Sequence, residues 1–230
     1  YAAAVAAGVM QFSDALLAVS ARGREMASIQ IDDPGKMASI ATNAHQVEES
    51  LAEIDGYVIA ANKNGPSQTV IAGESDSVEL AVELFRSQGV QANTLPVSHA
   101  FHSQIVAPAS GPLRKVLQRL AISSPHSPIT TNVNGDWYPK KPEEIIELLS
   151  KQVSSPVEWT KQIETMYQAG ARIFIECGPK RALAGLVATI LRRKEHRVFC
   201  TNHPKRGGPQ SFYEVLAGLA ALQRFPAAPK

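Results

Sequence analysis

Ten small or apolar residues open the chain, Tyr-Ala-Ala-Ala-Val-Ala-Ala-Gly-Val-Met. Their alanine content predicts a tightly packed helix that ends near Gly8. Phe12 followed by Ser13 and Asp14 reads as a hydrophobic staple and N-cap for a second helix reaching about Ala27. Along it Leu16, Val19, Gly23 and Met26 recur at helical spacing, which predicts an inward stripe with Arg22 beside it. An arginine in that position either snorkels to water or binds an anion at a cleft.

From residue 36 to residue 95 the pattern alternates between strand and helix periods. Residues 36–42 predict a strand and 45–54 a helix. Strands at 57–61 and 69–72 flank the turn Asn64-Gly65-Pro66. A helix at 75–88, capped by Ser75 or Asp76, leads to a strand at 90–95. The order β-α-β-β-α-β is the ferredoxin-like split arrangement. Its two ends lie close together, as insertion into another domain requires.

Beyond it, 105–120 predicts a helix despite Pro108 and Pro112 near its start. A short strand at 128–132 precedes the turn Asn134-Gly135-Asp136. Helices follow at 142–152 and 157–168. Ile173-Phe174-Ile175 forms a continuous apolar run within 172–176, the mark of a buried parallel strand. Gly178-Pro179 turns into a helix at 182–193, then come a strand at 198–201 and a helix at 213–222. Pro226 and Pro229 make 225–230 a linker. Strands alternating with helices imply an α/β chain with a parallel-sheet core, interrupted by a small α+β subdomain. The expected division is 1–35 and 98–203 for the core, 36–97 for the subdomain and 204–230 for a linker.

Composition narrows the class. Apolar residues at 44% can build a substantial core, and 19% charged residues with a net charge of +2 argue against disorder. The basic runs Arg192-Arg193-Lys194 and Lys205-Arg206 have no aromatic stacking platform, so solvated surface is expected and no nucleic-acid partner. Cys177 and Cys200 fit no metal spacing and read as core-lining thiols in a reducing cytoplasm. No apolar run reaches the ~18 residues of a membrane span. The chain starts with Tyr1 directly in a predicted helix, and is expected to be a piece of a longer protein.

The chemistry concentrates in Leu95-Pro-Val-Ser-His-Ala-Phe-His-Ser103, which holds two of the six histidines. Its apolar lead-in at 90–97 reads as a strand, and Ser103 is placed to cap the helix that follows. His102 then falls where the chain returns from the small subdomain to the core, and clefts form between domains. A histidine there can take and give a proton near neutral pH.

Several ordered blocks resemble one family: the malonyl-CoA:acyl-carrier-protein acyltransferases, particularly the acyltransferase domains of type I polyketide synthases. They are Tyr1-Ala-Ala-Ala-Val-Ala-Ala-Gly-Val, Ala21-Arg22-Gly23-Arg24, Asn62-Lys-Asn64-Gly-Pro-Ser-Gln-Thr-Val-Ile-Ala-Gly73, His99-Ala-Phe-His102-Ser103, Ser155-Pro-Val-Glu-Trp159 and Glu176-Cys-Gly-Pro179. The resemblance covers the chain to about residue 201, and the tail resembles the linker after such domains. It implies a hydrolase-like core with a ferredoxin-like insert. One departure stands out. The family's nucleophile is the serine of a Gly-His-Ser-x-Gly-Glu elbow, and the tyrosine that follows that Glu matches Tyr1. The resemblance therefore puts the nucleophile outside these residues.

By the same resemblance His102 is the general base and acid, and the carbonyl of Gln152 or a neighbour orients it. Arg22 clamps the free malonate carboxylate with its two parallel donors, which selects malonyl over acetyl. Phe101 crowds a methyl branch, so His99-Ala-Phe-His102 resembles the malonyl-selective version of the motif and not the methylmalonyl-selective Tyr-Ala-Ser-His. Met26 and His99 are expected in the same pocket. Asn62 and Asn64 are read either as cleft residues or as parts of a turn. The implied substrate is malonyl-CoA and the acceptor is the phosphopantetheine thiol of an acyl carrier protein. No tightly bound cofactor is implied. The expected partners are that carrier and the other domains of a synthase, and polyunsaturated-fatty-acid and enediyne synthases share the motifs. A catalytically silent scaffold and a proofreading thioester hydrolase are the competing readings; Arg22 and His102 weigh against them.

Overall fold

The computed structural model describes residues 1–222, and the expected linker at 225–230 lies outside them. Two compact units divide the chain, one from Tyr1 to Thr165 and one from Met166 onward.

In the first unit, α1 (Ala2–Ala6) ends as predicted at Gly8, which takes φ +72°. A side chain there would meet the His126 ring at 2.2 Å, so glycine is needed for space as well as for backbone angle. The second helix, α2 (Phe12–Ala27), differs from expectation at its start and in its orientation. Gln11 occupies the N-cap position without a side-chain bond, and Phe12 is already helical and 68% exposed. Leu16 and Val19 are also exposed, and Ala15, Ala18 and Ala21 form the buried face. Two overlapping stripes share the helical period here. The small one wins because it lets α2 approach α5 (Ser110–Leu117) closely, with Leu113 and Leu117 in the same core.

Over residues 36–95 the observed element order is the expected one. β1 (Lys36–Ile40), α3 (Ala44–Leu51), β2 (Val58–Gly65), β3 (Gln68–Gly73), α4 (Ser75–Ser87) and β4 (Ala92–Thr94) follow one another. The strands form one sheet in the order β2-β3-β1-β4, and every neighbouring pair is antiparallel. Ala38, Ile40 and Ile71 pack with Val47 of α3 and Val78 and Phe85 of α4 on one face. Met37, Ala61, Val70 and Ala72 pack with Ala100, Phe101 and Ile105 on the other. Both faces of the central strands are therefore covered, which explains the unbroken burial of Thr69 to Gly73.

Three strand predictions change. β4 stops at Thr94 instead of running through Val97, because Pro96 cannot donate to a ladder. Residues 128–132 form no strand; only Thr130 bridges Trp137, in an antiparallel pairing closed by the Asn134-Gly135 turn. The parallel sheet among the described residues has two strands, β5 (Ile173–Pro179) and β6 (Arg197–Asn202), in the second unit. Ile173 and Phe174 are half-buried and Ile175 is 38% exposed, so this run is not buried on both faces. Cys177 is exposed, against the expectation of a core thiol, and Cys200 is half-buried. Around the pair stand α8 (Ala182–Ile190) and α9 (Gly208–Ala221); α9 packs on β6 and begins five residues before its predicted start.

Before α5 the chain runs through a 3₁₀ segment, Gln104–Ala109, that accommodates Pro108. After α6 (Pro142–Lys151) a second 3₁₀ turn, Gln152–Ser154, leads to α7 (Trp159–Gln168).

Candidate active site

His102 sits in the turn between β4 and the first 3₁₀ segment, with φ +61°. Few non-glycine residues adopt this left-handed conformation, and it persists only where the surroundings fix it. Several bonds do so. The His102 amide donates to the Val153 carbonyl at 3.2 Å and the Phe101 amide to the His99 carbonyl at 2.9 Å. Ser103 caps the 3₁₀ segment as predicted: its hydroxyl accepts from the Ile105 amide and donates to the Ala100 carbonyl.

The imidazole Nδ1 lies 3.3 Å from the Gln152 carbonyl oxygen. A carbonyl can only accept, so Nδ1 must carry the proton and Nε2 keeps its lone pair. Burial pushes the imidazole below the usual histidine range. The Gln152 carbonyl works against that shift, the Arg22 cation adds to it and the Ser155 backbone opposes it. The neutral ring is therefore the form present at neutral pH.

Arg22 projects from the buried side of α2, one position after Ala21. Its Nε is buried without a hydrogen-bond partner among the described residues, and so is the Tyr1 hydroxyl. Each such donor left without an acceptor costs about 1–3 kcal/mol. Burial raises the Tyr1 phenol above its ordinary value, with Arg22 opposing. Burial also pushes the Tyr138 phenol up to about 12, with Tyr1 contributing. Both tyrosines are thus neutral hydroxyls at any physiological pH. In the sequence Tyr1 stood out only as the match to the tyrosine after the elbow, not as a hydroxyl of the site; Tyr138 follows a surface-type turn, and no spacing marks it.

Phe101 packs against both the helical core and the outer face of the small sheet. The His99 ring stands 6.0 Å from it, tilted by 41°, and its Nδ1 meets the Ser98 hydroxyl. Met26 packs into the helical core on α2. Asn64 donates across the β2–β3 hairpin to Gln68 Oε1 at 3.2 Å, and Asn62 bridges Val157. His102, Gln152 and Arg22 are therefore brought together, with Phe101 adjacent in sequence to His102. Neither His99 nor Asn64 has a hydrogen bond to His102. The cavity of about 500 Å³ beside Arg172, His196 and Arg197 contains none of the expected site residues.

Among the described residues no three His, Cys, Asp or Glu side chains converge as metal ligands, and no helix is long and apolar enough to cross a membrane.

Comparison with known proteins gives this geometry a context. The family model described as "Acyl transferase domain" matches residues 1–221. The malonyl CoA-acyl carrier protein transacylase of Bacillus subtilis (strain 168) is 38% identical over 198 residues, covering 84% of this chain and 62% of that protein. The PKS-NRPS hybrid synthetase acdB of Aspergillus candidus is 33% identical over 94% of this chain but only 9% of its own length. The crystal structure of the acyltransferase domain from the second module of the salinomycin polyketide synthase superposes with a TM-score of 0.85 at 29% identity, covering 95% of this chain and 51% of that one. The chain thus spans less than two thirds of the curated relatives it matches. It belongs to the acyl transferase domain family.

Proposed function

We propose that these residues supply the histidine, the carboxylate clamp and part of the acyl pocket for malonyl transfer from malonyl-CoA to an acyl carrier protein. The observation that carries this reading is the neutral His102, with Nδ1 on the Gln152 carbonyl, within the field of Arg22 and its unpartnered Nε. In this reading the nucleophile is a serine hydroxyl supplied from outside these residues. His102 Nε2 removes its proton as the oxygen attacks the malonyl thioester. The tetrahedral intermediate expels the CoA sulfur, which leaves as the thiol with the proton held on Nε2. In the second half the phosphopantetheine thiol gives its proton to Nε2 and attacks the malonyl-serine ester. The serine oxygen then leaves and takes that proton back. No redox step or metal is needed.

Arg22 would hold the malonate carboxylate throughout, and an acetyl group would leave this half-buried cation unpaired. The strand order β2-β3-β1-β4 with two helices on one face supports a ferredoxin-like subdomain, and the family match supports a hydrolase-like core around it. The second unit supports an anionic partner: residues 166–222 contain nine Lys or Arg against three Asp or Glu, while residues 1–165 contain twelve against eighteen. Arg192, Arg193 and Lys194 are all exposed and could meet an acidic carrier. The test is His102→Gln in the full-length acyltransferase. Loss of transfer to carrier protein by about 10²–10⁴ in kcat is expected from removal of a general base. Unchanged turnover would sink the reading.

A further inference from the structure

β2 is the edge strand of the small sheet, but its outer edge is not open. Val157 lies beside it in a parallel bridge with Asn62. The Val157 amide donates to the Ala61 carbonyl at 2.8 Å, and the Lys63 amide donates to the Val157 carbonyl at 2.9 Å. Thr160 adds a bond from its hydroxyl to the Lys63 carbonyl at 2.9 Å. The Lys63 ammonium then reaches Glu158 and Glu48 of α3, both at 2.9 Å.

A lysine on an edge strand usually just keeps that edge soluble. Lys63 is different. It and Glu158 are only 26% and 23% exposed, while the side chains in the other ion pairs of the described residues, Glu48 included, range from 38 to 80%. Burial pulls the ammonium down, yet its bonds to Glu158 and Glu48 outweigh burial and leave it above the ordinary lysine range. Register shifts between β2 and β3 bracket it, one at Ala60/Asn62 and one at Lys63/Gly65. Bulges of this kind re-aim a side chain.

Residues 152–158 connect this ion pair to the candidate active site. Gln152 and Val153 at one end supply the carbonyls that meet the His102 ring and amide. Val157 and Glu158 at the other end are held by β2. We propose that Lys63 is a positioning residue: by tying Glu158 to β2 it sets the 152–158 segment so that the Gln152 carbonyl fixes the His102 tautomer. The proposal rests on the reading of His102 as the proton carrier. The Lys63 ammonium bonds Glu48 and Glu158, whereas the His102 ring meets the Gln152 carbonyl. Arg22 remains the charge that acts on the imidazole.

The test compares Lys63→Met, Lys63→Arg and Glu158→Gln in the full-length acyltransferase. Imidazole ¹⁵N spectra report the His102 tautomer and titration, with the signal assigned by its loss in His102→Gln. In Lys63→Met and Glu158→Gln the Nδ1–H tautomer should lose its dominance, the acid limb of kcat/KM should move, and kcat should fall about tenfold at constant KM, as a loosened catalytic geometry predicts. Lys63→Arg should restore all three. If the His102 spectra and titration of either folded neutral variant match the parent, and only the melting temperature falls, Lys63 is structural and the proposal is overturned. Glu158→Gln decides the matter should Lys63→Met not fold. A displaced tautomer in an enzyme that transfers no malonyl group would leave the positioning role standing and sink the assigned reaction instead.

Discussion

The His102 Nδ1 and the Gln152 carbonyl oxygen, fifty residues apart in sequence, face each other at 3.3 Å. A carbonyl orients an imidazole as an aspartate would, but lends it no negative charge. Burial and Arg22 can therefore hold the ring below the usual histidine range. The activity carried by the neutral ring should persist below pH ~6.5, the ordinary histidine value, and fall only as pH passes the lowered one. Stability follows the same sign. Between the ordinary and lowered values the unfolded chain binds a proton that the folded chain does not, so acidification through that window destabilises the fold. The pH dependence of kcat/KM, read beside thermal melts of the parent and His102→Gln, checks both.

Arg22→Ala should erase the preference for a dicarboxylic acyl group. Hydrogen bonds to a charged partner contribute ~1.5–3 kcal/mol, so kcat/KM for malonyl-CoA should fall by about 10- to 150-fold with little change for acetyl-CoA. Arg22→Lys should recover only part of the loss, because an ammonium cannot offer the paired donors. Equal losses with both substrates would remove Arg22 from carboxylate recognition.

Phe101→Ser opens space next to His102 where the ring now packs between the helical core and the sheet. The ratio of methylmalonyl to malonyl transfer should rise by about 10-fold or more, the scale of one methyl group in a packed pocket. The cavity also costs about 3 kcal/mol or more of stability, so the comparison belongs below the variant's melting temperature. An unchanged ratio would show that Phe101 is not the selector.

Charge reversal of Arg192, Arg193 and Lys194 should raise the KM for carrier protein and weaken its dependence on ionic strength, with hydrolysis of malonyl-CoA unaffected. Steady-state kinetics at two salt concentrations reads this directly. A constant KM would exclude the three from docking.

The six-element order across residues 36–95 was readable because its apolar positions change period at each boundary and turn residues separate the segments. The inward face of α2 was not. Leu16 and Val19 carry the larger hydrophobic signal, yet the closer approach available to Ala15, Ala18 and Ala21 decides the packing. Residues 128–132 misled for another reason: the β-branched run Ile129-Thr130-Thr131 looks like a strand until its partner, Trp137, proves to be local. At the candidate site, His102 and Arg22 stood in recognisable blocks, and Gln152 followed from the family's pattern. Tyr1, Lys63 and Glu158 lay inside such blocks and Tyr138 in none, but the part each plays was not legible there, since it depends on burial and on neighbours distant in sequence.

The most direct test of the central claim is the intact mass of the full-length acyltransferase after separate incubation with malonyl-CoA, methylmalonyl-CoA and acetyl-CoA. A malonyl adduct that forms from malonyl-CoA alone is the predicted result, and it would establish the ester intermediate, the carboxylate clamp and the extender preference together. A folded sample that gains no mass from any of the three would contradict the account, leaving His102 a structural histidine in a scaffold module.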